Sequence, residues 1–195
     1  INILEVSNFA LIRTLKDLLK EYGPEEAVVI ADIGFESTEL SIVVDGIPQF
    51  NRTIPTGTYE MQSSLNEAMN LPVSRDTSKL LGMTVSIMET MGMTKSGESS
   101  ETNILQKVLS ELGDEIRRSI DFYLSQFENL EVAQLLLTGS GAGIGQIDEF
   151  LMQRLSLPVS KVDPIEILGL ETEIEIPLEE RASLAIVLGL GLRQF

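Results

Sequence analysis

Two short segments carry residue types and spacings suited to holding an anionic ligand. The first is Asp32-Ile33-Gly34-Phe35-Glu36-Ser37-Thr38. A tight turn here, between two apolar strands, aims backbone N–H groups from Gly34 onward, with the Ser37 and Thr38 hydroxyls, into one concavity suited to phosphate oxygens. Asp32 closes the apolar run at 27–31 and presents a carboxylate that can hold Mg2+, usually through water, because magnesium gives up its hydration shell reluctantly. A polar turn capping a hairpin is the plain alternative. The second segment is Thr138-Gly139-Ser140-Gly141-Ala142-Gly143, which lies between an apolar strand and a helix. Glycines let a ligand approach the backbone, and a following helix N-terminus adds positive dipole character. No Lys follows, so it is not a Walker loop, and Ile144 stands where a dinucleotide fingerprint needs a small residue. A flexible strand-to-helix connection fits equally well.

Two lesser signals lie between them. Glu115 and Arg118, three residues apart on one helix face, either form a solvated ion pair or clasp a ligand together. Thr56-Gly57-Thr58 opens a helix, a position used as a cap or as a phosphate contact. His 0 and Cys 0 remove imidazole bases, His-containing triads, disulfides and thiolate ligands. The balance of Lys+Arg 14 against Asp+Glu 30, a net charge of −16, opposes nucleic acid and anionic lipid headgroups alike. No apolar run approaches the ~20 residues of a membrane-spanning helix. A reducing, cytoplasmic setting without direct membrane insertion is expected.

The elements that must position these residues follow from periodicity. Residues 2–6 alternate as a short strand, and Ser7 or Asn8 caps a helix bearing Leu11, Leu15, Leu18 and Leu19, stopped at Gly23-Pro24. Strands are expected at 27–31, 40–44 and 47–54, the last two joined through Asp45-Gly46, so 27–54 is a three-stranded antiparallel meander. Helix follows from 58 to about 69 and again from 71 to 91. Residues 92–101 read as an exposed loop. Ile104, Val108, Leu112, Ile116, Ile120, Leu124 and Phe127 then recur at helical spacing. A strand at 134–138, a helix at 147–155, a strand at 159–162, a turn at Asp163-Pro164 and a closing helix at 179–192 complete the chain. The fold class expected is mixed α/β, a mixed sheet covered by helices.

The order of these signals resembles the second half of the actin-like ATPase superfamily. The closer resemblance is to the PilM family of type IV pilus assembly, carried by VVIADIGFESTELSIVVDGIPQFNRTIPTG (28–57), EIRRSIDFYLSQ (115–126), LLLTGSGAGIGQIDEFL (135–151), DPIE (163–166) and ASLAIVLGLGLR (182–193). The resemblance implies an actin-like, ribonuclease H-like lobe that binds ATP and Mg2+. Asp32, Gly34, Glu36, Ser37 and Thr38 would contact phosphate and metal, with Asp32 the metal-facing carboxylate. Gly57 would be a further contact, although Thr58 stands where relatives often carry a second glycine. Gly139, Ser140, Gly141 and Ala142 would contact adenosine, and Glu115 and Arg118 the ribose and base. Residues 1–22 would be the end of a first lobe and the crossover helix. Residues 23–195 would be the second lobe, with a helical insert at about 59–112.

The first phosphate loop of such proteins has no counterpart here, so the chain is expected to be a fragment. The function implied is a bacterial cytoplasmic scaffold of type IV pilus assembly and twitching motility, coupled to the inner-membrane protein PilN through the missing lobe and capable of self-association. The competing readings are an ATP-hydrolysing actin-like enzyme with Asp32 as base, and a nucleotide-free interaction domain of a related secretion system. The nucleotide reading requires that the Asp32 turn and the 139–143 bend converge on one wall.

Overall fold

The structure, a computed structural model, describes residues 4–85 and 100–193. A five-stranded mixed sheet, ordered β3-β2-β1-β4-β5, forms its centre. β1 (Glu26–Ile33), β2 (Thr38–Val44) and β3 (Ile47–Ile54) make the antiparallel meander, and β4 (Glu131–Thr138) and β5 (Val159–Lys161) add in parallel on the other side of β1. Both central residues of the β2–β3 turn, Asp45 and Gly46, have positive φ. Such a turn matches the right-handed twist of its strands.

Period-two alternation divides the sheet between two cores. Ala27, Val29, Ala31 and Ile33 of β1 face α3 (Thr58–Ala68), α5 (Ser100–Leu124) and α6 (Ile147–Leu155). Val28 and Ile30 face α1 (Ser7–Thr14), α2 (Lys16–Leu19) and α9 (Ala185–Gly191). α5 packs on the first face because Leu105, Leu109, Leu112 and Ile116 all fall on one stripe. α1 and α9 pack through polar as well as apolar groups. Thr14 Oγ1 donates to the Ala185 carbonyl at 2.6 Å, and Arg13 donates to the Gly189 carbonyl at 2.7 Å. Glu5 pairs with Arg13 and with Arg193.

Several expectations are corrected. Residues 4–6 join no strand, since the sheet ends at β3 and β5 and Leu4 is exposed to solvent; residues 1–3 lie outside the described part. Neither Ser7 nor Asn8 caps α1, which starts at Ser7 after Val6; the Asn8 side chain instead donates to Asn51. The first helix breaks at Leu15 into α1 and α2. Helix does not run through 71–91: residues 71–77 are irregular and α4 covers only Ser78–Leu81. Asn70 has positive φ and Pro72 lacks an amide hydrogen, which together end α3 and keep the next residues out of a helix. Of the loop expected at 92–101, residues 92–99 lie outside the described part, and Ser100 and Glu101 already belong to α5. α5 ends at Leu124, short of Phe127.

Asp163-Pro164 is no simple turn. It opens α7 (Pro164–Ile167), with the Asp163 carboxylate accepting from the Ile165 and Glu166 amides at 3.0 and 3.2 Å. Proline at the first helical position loses no hydrogen bond there. The closing helix is three pieces: α8 (Leu178–Arg181), a tight 3-10 turn Ala182–Leu184, and α9. The tight turn brings the Ala182 carbonyl to the Gly139 amide at 3.2 Å.

Candidate functional site

The β1–β2 connection, residues 34–37, closes with the Gly34 amide donating to the Ser37 carbonyl at 2.9 Å. It is fastened to the start of α3, whose Thr58 and Tyr59 amides donate to the Gly34 and Phe35 carbonyls at 3.0 and 2.9 Å. A helix leaves its first amides unpaired, and here the hairpin satisfies two of them. A Cβ on Gly57 would lie 2.5 Å from the Phe35 carbonyl oxygen, so that position must be glycine for the two segments to touch. The Thr38 hydroxyl is buried and donates to the Thr56 carbonyl at 2.7 Å. The Ser37 hydroxyl donates to Glu39 across a long 3.4 Å. Glu36 pairs with Arg75 at 3.1 Å, and the Arg75 guanidinium sits 4.9 Å above the Phe35 ring and 5.6 Å above that of Tyr59.

Asp32 is half-buried at the end of β1, beside Glu39 on β2 and Thr138 on β4. The Thr138 hydroxyl donates to Asp32 Oδ1 at 3.0 Å. Burial pushes this carboxyl above its ordinary value; the Thr138 donation opposes that shift, and the Glu39 charge adds to it. The result is a carboxylate kept in a poorly hydrated place without a cationic partner among the described residues.

The glycine segment meets this strand end directly. Gly139 has φ +81°, and a Cβ there would fall 2.5 Å from the Ile33 carbonyl oxygen and 2.6 Å from Asp32 Oδ1. At Gly141 it would fall 2.2 Å from Ile33 Cγ2. The Asp32 turn and the 139–143 bend thus do converge on one wall. The bend, a tight 3-10 turn at Ser140–Gly143, is wedged between β1 and the closing segment. Gly139, Gly141 and Ala142 are buried, which leaves Ser140 as the partly open member of that set.

Glu115 and Arg118 stand elsewhere on α5. They pair with each other, and Glu115 also accepts from Arg52 of β3 at 2.8 Å, while Arg52 reaches Ser119 Oγ at 3.0 Å. The Arg118 hydrogen bond holds the Glu115 carboxyl below its usual range, against a partial opposing effect of burial. The cleft they line with Glu111, Asp114 and residues 54–56 has a volume of about 350 Å³ and adjoins Thr56 rather than the glycine bend. The neighbouring side of α5 meets α6, where Asp114 pairs with Arg154 at 2.7 Å.

The sequence does not single out Ala182, Arg52 or Arg75, and it marks Thr138 only as the first residue of the glycine segment, not as a partner of Asp32. Nothing in a strand pattern says which residue of β4 will lie beside Asp32, and Arg75 fell inside a stretch read as helix. Among the described residues no group of three or more acidic, His or Cys side chains is arranged around a metal-sized space.

Comparison with solved structures places this architecture. A PilM–PilN type IV pilus biogenesis complex matches with a TM-score of 0.75 and 24% identity over 98% of this chain and 52% of that one. MreB5 of Spiroplasma citri bound to ADP matches at 0.65 and 16% identity, covering 97% and 59%. An archaeal actin homologue in complex with ADP matches at 0.63 and 15% identity, covering 96% and 55%. The chain spans little more than half the length of these relatives, and it shares their actin-like fold. The family model for the type IV pilus assembly protein PilM matches residues 1–195. With a sheet of this order, a hairpin and a glycine bend meeting at Asp32, and a family match along its whole length, the chain belongs to the PilM family of type IV pilus assembly proteins.

Proposed function

We propose that this chain is the nucleotide-facing second lobe of an ATP-binding scaffold in type IV pilus assembly. The observation that carries the reading is the meeting of the Asp32 hairpin with the 139–143 bend, at a carboxylate that no cation among the described residues neutralises. ADP in the two actin-like neighbours supports it. The carboxylate of Asp32, with Glu39 beside it, would hold magnesium through its water shell. Bound Mg2+ would neutralise phosphate charge, Ser37 and the hairpin backbone would position the phosphates, and Ser140 would face the nucleoside. Glu115 and Arg118, beside Thr56, would hold the sugar or base across their cleft.

Residues 1–22 are proposed as the end of a first lobe and its crossover helix, residues 23–195 as the second lobe, and about 59–112 as its helical insert. PilN is the partner proposed for the whole protein, by analogy with the PilM–PilN complex, which would tether a cytoplasmic scaffold to the inner membrane. No helix among the described residues is long and apolar enough to cross a membrane.

A single lobe leaves phosphates in water, where charge interactions are weak. Calorimetry is expected to give clear Mg-ATP binding to the complete protein, lost in Asp32→Ala, and little or none to this chain alone. Tight binding by this chain, or an unaffected Asp32→Ala protein, refutes the reading. A nucleotide-free interaction domain is the second reading, favoured by the self-satisfied hairpin: the Thr38 hydroxyl and two α3 amides already have partners. Partner binding insensitive to Asp32 and Gly141 would select it.

A further inference from the structure

At the opposite end of the sheet from Asp32, four aromatic rings lie in sequence. Phe122 is 6.1 Å from Phe50, Phe50 is 5.9 Å from Tyr123, and Tyr123 is 4.9 Å from Phe127. Phe122 is 61% exposed and Phe127 48%, although aromatic residues are only 5% of the chain. Tyr123, Phe127, Val44 and Leu130 form the apolar wall of an open groove of about 350 Å³. Glu25 and Glu128 stand at the same groove with Gln49, and no cation is among its lining residues. β3, which carries Phe50 and Gln49, is an edge strand of the sheet, and one side of its backbone has no strand neighbour among the described residues.

The two exposed ends of this row, Phe122 and Phe127, are the kind of side chain a protein interface uses as its anchor, while Tyr123 between them is buried. Surface aromatics of this size scattered singly would need no explanation, but a contiguous row beside a groove marks a contact site. An edge strand offers main-chain hydrogen bonds to an extended segment, and alternate side chains of that segment then point into pockets beside it. The acidic residues select the charge of the occupant. A second copy of this chain would bring another −16 and its own Glu25 and Glu128 to the same place. A cationic segment gains from both.

We infer that the groove between β3 and the end of α5 docks an extended, basic segment of a partner protein that carries large apolar side chains between its Lys or Arg residues. The apolar side chains pack on Phe127 and Leu130, and the cations meet Glu25 and Glu128. This surface is independent of the nucleotide site and does not rest on that reading.

The test uses fluorescence anisotropy with two labelled synthetic nonapeptides, one alternating lysine with phenylalanine and one of lysine and glycine with the same charge. The chain is expected to prefer the phenylalanine peptide at least tenfold. Phe127→Ala with Phe122→Ala should remove that preference and leave the glycine peptide unchanged. Glu25→Gln with Glu128→Gln should weaken both peptides severalfold and flatten the salt dependence. Because Phe122 and Phe127 are half-exposed or more, the variants should fold, and circular dichroism confirms it. Equal affinity for the two peptides, no binding of either, or a preference that survives loss of both phenylalanines overturns the inference. So does a wild-type dimer in sedimentation that Phe127→Ala dissolves, since the face would then be homotypic.

Discussion

Gly141→Ala is the sharpest perturbation of the wall on which the site depends. The added methyl would sit 2.2 Å from Ile33 Cγ2 and 2.8 Å from Ile33 Cβ, where carbon atoms ordinarily approach to about 3.5–4.0 Å. The two groups must therefore part by well over an ångström, yet Ile33 is 0% exposed and held in the sheet beside Asp32. Overpacking of this kind costs about 1–3 kcal/mol. For a chain of this size each kcal/mol lowers Tm by about 2–4 °C, so a fall of roughly 2–12 °C is expected in thermal unfolding followed by circular dichroism. Gly191→Ala is the control. Nothing lies within 4 Å of its added methyl, and alanine is the better helix former, so its Tm should stay level or rise slightly. On the proposed reading, the complete protein carrying Gly141→Ala should also bind Mg-ATP more weakly, because relief of the clash displaces the end of β1. A Tm within about 1 °C of wild type would show that the bend does not press on β1 and would refute the geometry on which the site is built.

Burial raises the Asp32 pKa in the folded chain, so its contribution to stability is greatest below the ordinary aspartate value and is lost as pH rises through the folded one. Asp32→Asn, which keeps an acceptor for Thr138, should therefore melt higher than wild type at pH 7, with the gap closing towards pH 4; a lower Tm at pH 7 would contradict this. Asp163 behaves in the opposite sense. Burial pulls it up, but Arg181 and the Ile165 and Glu166 amides outweigh that and hold it low, so its stabilisation is present above the ordinary aspartate pKa and fades as pH falls through the folded value. Asp163→Ala removes a helix cap and leaves Arg181 without its carboxylate; a loss of about 1–2 kcal/mol in urea unfolding is expected at pH 7, shrinking under acid. Arg52→Ala should change stability by less than about 1 kcal/mol, because the Glu115 pair is partly exposed. On the proposed reading it should still weaken nucleotide binding by freeing Glu115 to turn, and unchanged affinity would count against a role for that cleft.

Local chemistry in the sequence determined much of this protein. The apolar run at 27–31, the Asp45-Gly46 turn and the 3.6-residue recurrence from Ile104 to Leu124 each specify an element without outside help, since backbone sterics and one buried face suffice. The glycines of 139–143 read from the sequence as admitting a ligand to the backbone, whereas the close neighbours of Gly139 and Gly141 are Ile33 and Asp32 of β1. Tertiary structure alone decided that. Parallel register set Thr138 beside Asp32, and the tight turn at Ala182–Leu184 carried a carbonyl to Gly139. The ring row from Phe122 to Phe127 emerged only when β3 met α5. Local preference covers a few residues at a time, whereas these contacts join segments far apart in the chain, and only the packing of both sheet faces chooses among their possible partners.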